Sequence, residues 1–181
     1  MKRVLIISSS PRENGNSERL CREFQRGAQE AGHEVEFVAL RKKHIEYCIA
    51  CDICGKLGHC FQDDDMNELA DKMEAADVLV LATPVYFYCM SGQLKGVIDR
   101  LQMSYLRDPS RIHGEVYLFA TGGDGDTAHL EAALESIRGC TRDCFPSCVE
   151  KGALVVGNVR DLNDMDGNPA LEQAYEMGRH A

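Results

Sequence analysis

Four cysteines, Cys48, Cys51, Cys54 and Cys60, fall within thirteen residues of a 181-residue chain. The first three share two-residue gaps, the spacing by which ferredoxin-type loops supply three corners of a 4Fe–4S cubane. Cys60, after a loop containing Gly55 and Gly58, could reach the fourth iron. Zinc also takes four thiolates, but its sites usually pair two short Cys-x2-Cys knuckles across a long gap, and that gap is absent. A disulfide is disfavoured in a reducing compartment. Against a cluster, Phe61 stands where bacterial ferredoxin loops carry proline. Cluster, zinc and idle thiols that only shape the loop all stay open on spacing alone.

A second stretch has polar chemistry. SSSPRENGNS, residues 8–17, places the hydroxyls of Ser8, Ser10 and Ser17, amides near Asn14 and Asn16, and the guanidinium of Arg12 where all could donate to one anion. A helix start behind it adds free N–H groups and a positive dipole end. The loop is neither GxxxxGK[ST] nor GxGxxG and has no lysine, which suits a phosphate monoester better than a triphosphate. The plainer alternative is a capped turn, with Asn16 or Ser17 as N-cap. TPVYFYCMSG, residues 83–92, carries Pro84, Val85 and the aromatics Tyr86, Phe87 and Tyr88, suited to a flat ring or to covering a sheet end. In TGGDGD, residues 121–126, Gly122 and Gly123 let backbone approach a ligand or simply turn.

These loops need a scaffold that gathers them. Residues 4–8 and 78–82 are continuous apolar runs, as in strands buried on both faces. Residues 34–40 alternate, as in a strand nearer an edge, and 116–120 and 153–156 complete five strands. Helical spacing marks residues 17–31, 66–76, 91–103 and 130–137, and Pro169 opens a last helix to Gly178. Strands alternating with helices specify a doubly wound parallel sheet covered on both faces, with ligands at the carboxyl ends of its strands. The three loops above leave the first, third and fourth strands at that edge. One domain over residues 1–181 is expected, with looser pieces at the cysteine loop and in an irregular C-terminal tail from about 160.

A net charge of −9 argues against nucleic acid as a partner. No apolar run approaches the roughly 20 residues of a membrane span, and the one near the N-terminus covers only Val4 to Ile7. A cytoplasmic location is expected, where nine cysteines stay as thiols or bind metal.

SSSPRENGNS, then C-x2-C-x2-C-x5-C, DDDM and TPVYFYCMSGQLKGVIDR, in this order over residues 1 to about 125, resemble the NADPH-dependent FMN reductase family of flavodoxin-like proteins, and within it the iron–sulfur flavoprotein branch. The family usually has Gly where this chain has Ser9. The resemblance implies a flavodoxin-like fold, FMN phosphate on Ser8, Ser10, Arg12, Asn16 and Ser17, and the flavin ring on Pro84, Val85, Tyr86, Phe87, Tyr88, Gly122 and Gly123. It implies an oxidoreductase whose chemistry lies on the flavin, with no catalytic side chain, taking electrons from NAD(P)H to a quinone, flavin or other small acceptor. The alternative is an electron carrier, with a 4Fe–4S cluster on the four cysteines and a ferredoxin-like partner. Flavin sites completed by a neighbouring subunit are also implied, in a homodimer or homotetramer. The apolar Leu94, Val97, Ile98, Leu101 and Met103 of one helix fit such a contact.

The remaining residues carry plainer expectations. Asp63–Asp65 is expected to cap the helix near Met66, and Asp99 to pair with Arg100 or to meet a subunit. Cys140, Cys144 and Cys148 follow helical spacing, which Pro146 breaks, so buried or idle thiols are expected.

Overall fold

The computed structural model describes residues 1–181. Val4, Leu5, Ile6 and Ile7 are all buried, so β1 (Arg3–Ser8) runs through the centre of the chain. β2 (Glu34–Ala39), β3 (Val78–Pro84), β4 (Gly114–Thr121) and β5 (Cys148–Val156) join it in one parallel sheet of order β2-β1-β3-β4-β5. This is the flavodoxin-like winding, which reverses direction between β1 and β3. The alternating β2 lies at an edge, as its pattern predicts. β5 starts earlier than its apolar run, because the ladder to β4 continues past a register shift at Val116/Tyr117.

Two apolar layers cover the sheet. On one face, α1 (Asn16–Glu30) and α7 (Pro169–Arg179) pack over Val4, Ile6, Val80 and Phe119. These helices approach so closely that a methyl group on Gly27 would lie 2.1 Å from the Tyr175 carbonyl oxygen, and one on Gly178 would lie 2.1 Å from that of Phe24. The tail after residue 160 is therefore irregular only as far as Asn168, and α7 belongs to the core. On the other face, α3 (Met66–Ala75), α4 (Gly92–Arg100) and α6 (Thr127–Arg138) cover Leu5, Ile7, Leu79 and Leu118.

The helix expected over 91–103 is divided, with α5 (Gln102–Arg107) following α4. At the junction Leu101 N donates to both Val97 O and Ile98 O. Leu94, Val97, Leu101 and Met103 are buried in the chain's own core, with Ile98 packed against it. The apolar coverage of this helix is thus consumed internally and does not mark a subunit contact. A single short turn, α2 (Cys54–Leu57), interrupts the cysteine loop. No helix is long and apolar enough to cross a membrane.

Candidate functional site

At the carboxyl edge of the sheet a cavity of about 480 Å3 opens between three loops. Its walls include Ser10, Arg12, Gly15, Asn16 and Ser17 after β1, Pro84, Val85 and Tyr86 after β3, and Thr121, Gly122 and Gly123 after β4. The sheet therefore gathers all three loops as the strand pattern predicts. A fourth wall, Val159 and Arg160, comes from the segment between β5 and α7 and had no motif to announce it. Arg12 Nη1 donates to Arg160 O at 2.8 Å, and Arg19 Nη1 to Asp166 at 2.7 Å, tying this segment to the first loop and to α1.

The first loop has unmet hydrogen-bonding capacity. Ser8 and Ser17 are 0% and 1% exposed, yet Ser8 Oγ, Ser17 Oγ and Asn16 Oδ1 have no partner. Native proteins seldom leave buried polar atoms unpaired, and the exceptions cluster at binding sites. Neither Asn16 nor Ser17 is the N-cap: α1 begins at Asn16, Gly15 precedes it, and no side chain caps the helix. The N–H groups of the first turn and the two hydroxyls therefore have no partner in the chain, and of the two serines only Ser17 lines the cavity. Gly15 is required here, because a methyl group on it would lie 2.3 Å from Ser10 Oγ. Ser10 serves as the loop's clasp: its Oγ donates to Arg12 O at 2.8 Å and accepts from Arg12 N at 3.2 Å.

Ser9, at the position where the family usually has Gly, turns away from this cradle. Its Oγ donates to Ala82 O at 2.9 Å and accepts from Ser91 Oγ at 2.8 Å. Ser91 caps α4 and donates its N–H to Thr83 Oγ1, so the two loops share one buried polar seam.

Of the aromatic trio, Tyr86 lines the cavity, while Phe87 and Tyr88 do not. Tyr86 and Cys89 exchange backbone hydrogen bonds at 3.0 Å, closing a tight turn with Phe87 and Tyr88 at its tip, both at positive φ (50° and 62°). Phe87 is 99% exposed, and Tyr88 packs on His129 with ring centroids 5.2 Å apart. His129 is held by Asp124 at 3.0 Å; that hydrogen bond, with the charge of Asp126, keeps its imidazolium protonated above the usual range.

The second candidate, the cysteine loop, is secured by the aspartate run; Asp65 stands at the N-cap position of α3 but its side chain makes no cap hydrogen bond, because it is turned to the chain before the loop. Asp65 accepts from His44 N and Lys43 Nζ, and Asp64 from Glu46 N, Met66 N and the Arg100 guanidinium. Asp99 pairs with Lys95 instead of Arg100, since adjacent residues on a helix point to different sides. Cys48, Cys51, Cys54 and Cys60 all line one cavity of about 30 Å3, with Arg100 and Met103. Ala50 and Asp52 adopt positive φ, winding the chain so that the thiols share this cavity. Burial, then the neighbouring Cys60 and Cys51, push the Cys54 thiol up. No three His, Cys, Asp or Glu side chains stand close enough together to hold one metal ion. The donor set is thus right in kind for a thiolate centre, but its thiols are not drawn onto a common point. Cys140 is buried and Cys148 half-buried, and desolvation pushes their thiols up to about 12 and about 11.

Sheet order and the crevice at the carboxyl edge of the strands together define a flavodoxin-like architecture. The NADPH-dependent FMN reductase family matches residues 2–148, beyond the 125 residues that carry the resemblance in motifs, and the chain belongs to that family. An iron–sulfur flavoprotein of Methanosarcina thermophila is 30% identical over 175 residues, covering 97% of this chain and 87% of that protein. One of Methanocaldococcus jannaschii is 43% identical over 98 residues, 54% of this chain and 51% of that one. The match spans about half the length of the latter relative, and 46% of a third, from Archaeoglobus fulgidus. Among solved structures, an NAD(P)H:quinone oxidoreductase from Methanothermobacter marburgensis has the same fold, with a TM-score of 0.74 at 19% identity over 99% of this chain and 95% of that one.

The unpaired hydroxyls support a further expectation. Ser17→Ala removes a buried oxygen that has no partner in the free protein, so thermal stability without flavin should stay level or rise. FMN affinity should fall by about tenfold, one hydrogen bond to a charged group. Parallel calorimetric melts and fluorescence titrations check both halves; a drop in stability with unchanged affinity would make Ser17 structural.

Proposed function

We propose that the protein is an FMN-dependent oxidoreductase that moves electrons from NAD(P)H to a small acceptor such as a quinone or flavin. The observation that carries this is the pair of unpartnered buried hydroxyls, Ser8 Oγ and Ser17 Oγ, at the open N-terminus of α1, where Ser17 lines the cavity. Ser8, Ser17, the first-turn N–H groups and Arg12 would hold the phosphate; Ser10 and Gly15 would keep that loop in shape. Tyr86, Pro84, Val85, Gly122 and Gly123 would flank the ring. The chemistry FMN supplies when bound is hydride transfer. The net reaction, NAD(P)H + H+ + quinone → NAD(P)+ + hydroquinone, asks only that the chain bind and orient, with its second proton available from water. Phe87 and Tyr88, displayed at the cavity mouth, are the surface through which a second subunit would complete the site in a homodimer or homotetramer. Anaerobic mixing of FMN-loaded protein with NADPH or NADH should bleach the flavin absorbance in a saturable single phase. A flavin that neither nucleotide reduces would overturn the enzyme reading.

The second reading is an iron–sulfur flavoprotein carrier exchanging electrons with a ferredoxin-like partner. It is favoured by four thiols on one cavity wall. Cys48, Cys51, Cys54 and Cys60 would ligate a 4Fe–4S cluster, whose chemistry is one-electron transfer.

A further inference from the structure

Behind the cysteines lies a buried cation with one donor to spare. Arg100 is 2% exposed. Its Nη1 and Nη2 donate to the two Asp64 oxygens at 2.7 and 2.9 Å, and Nη1 also donates to Glu46 O at 2.8 Å. The third donor, Nε–H, is buried and has no partner. A charged N–H left without an acceptor is costly, and a native structure that keeps one calls for an explanation. Arg100 shares a cavity wall with all four cysteines, and the Cys60 sulfur stands beside the guanidinium as both a charge and an acceptor, while Nε–H itself lies outside the geometry of a hydrogen bond.

Cys60 is also the most firmly placed of the four. Its N–H donates to Asn67 Oδ1, and its carbonyl accepts from Asn67 Nδ2, both at 2.9 Å, which pins it to α3. Cys48 and Cys51 lie on exposed chain. One fixed sulfur and one fixed guanidinium thus face the same small space. Asp64 already neutralises Arg100, so the free N–H serves as a local dipole aimed into the cavity more than as a net charge.

We propose that Arg100 is a positioning residue of the cysteine centre, its Nε–H held ready by Asp64 and Glu46 to donate to the Cys60 sulfur once the thiolates bind an iron–sulfur cluster. This rests on the second reading above. Hydrogen bonds to cluster sulfurs favour the more negative, reduced form, and so raise the potential. Lysine could still answer Asp64 but lacks a fixed third N–H, so the pair Arg and Lys separates charge from geometry at this position.

The test uses the full chain, purified without oxygen and reconstituted with ferrous iron and sulfide, as parent and as Arg100→Lys. Iron per chain, FMN per chain and the one-electron midpoint potential from a mediated titration are measured together. FMN content should match the parent, showing the fold intact, while the reduction equilibrium of the iron centre weakens about tenfold, a downward shift of ~59 mV. The double variant Arg100→Gln/Asp64→Asn keeps the net charge and a bridge between the two side chains. It serves as the second test should lysine not be accommodated, and should shift in the same direction. An unchanged potential at full iron content in these variants overturns the role of Arg100 and leaves the cluster standing. A parent that takes up no iron removes the second reading and this inference with it, and leaves the flavin site untouched.

Discussion

Gly15→Ala is expected to weaken FMN binding by ten- to a hundredfold, about 1.4–2.8 kcal/mol, with little loss of fold stability. The position lies at φ −62°, so alanine brings no backbone strain. The clash is local: the new methyl meets Ser10 Oγ at 2.3 Å and Arg12 O at 3.2 Å. Ser10 must rotate and release both of its bonds to Arg12, and the cradle opens where the phosphate would sit. Helix α1 keeps its packing through Leu20, Phe24 and Ala28, all fully buried, so stability should fall by no more than about 1 kcal/mol. Fluorescence titration beside a thermal melt reads both; parental affinity would show that the loop does not shape the site.

A larger effect on stability is expected from Asp64→Ala. Both partners of the Asp64–Arg100 pair have side chains only 1% exposed. Removing one leaves a buried charge uncompensated, about 3–5 kcal/mol, or roughly 10 °C in melting temperature for a chain of this size. It also frees the Glu46 and Met66 N–H groups, so the cysteine loop loses its anchor. Burial alone would push the Asp64 carboxyl up, but the hydrogen bonds from Arg100, Glu46 N and Met66 N outweigh it and hold its pKa below the ordinary value. The sign follows from that direction. The contribution is complete above the unfolded value of about 3.9 and is lost as pH falls through the lower, folded one. The parent should therefore shed this stability only in strong acid, and Asp64→Asn should show a shallower acid limb. Chemical denaturation from about pH 7 to about pH 1.5 checks it, a range that spans the unfolded value and the lower folded one; identical limbs would remove the carboxylate from the account.

The sheet was legible because its signal is strong: strands buried on both faces read as unbroken apolar runs, and 4–8 and 78–82 are such runs. Their order followed from the winding rules, which brought the Ser8–Ser17, Pro84–Tyr86 and Gly122–Gly123 segments to one edge. Partners distant in sequence were less legible. Arg100 looked bound to its neighbour Asp99, and only the folded chain sets it against Asp64, 36 residues away. Val159 and Arg160 reach the cavity because α7 docks on α1, and no local motif reports that. The apolar face of residues 91–103 pointed to a subunit contact because periodicity shows that a face is buried, and not against what. Phe87 looked like a ring contact from composition, whereas the tight turn at Tyr86–Cys89 displays it to solvent.

The central claim is that residues 8–17 form a phosphate cradle for a flavin mononucleotide. Calorimetric titration of flavin-free protein with FMN and, separately, with riboflavin tests it most directly, since the two ligands differ by the phosphate alone. FMN should bind at least about a hundredfold more tightly, the equivalent of one to two charge-assisted hydrogen bonds. Equal affinities for FMN and riboflavin would contradict it.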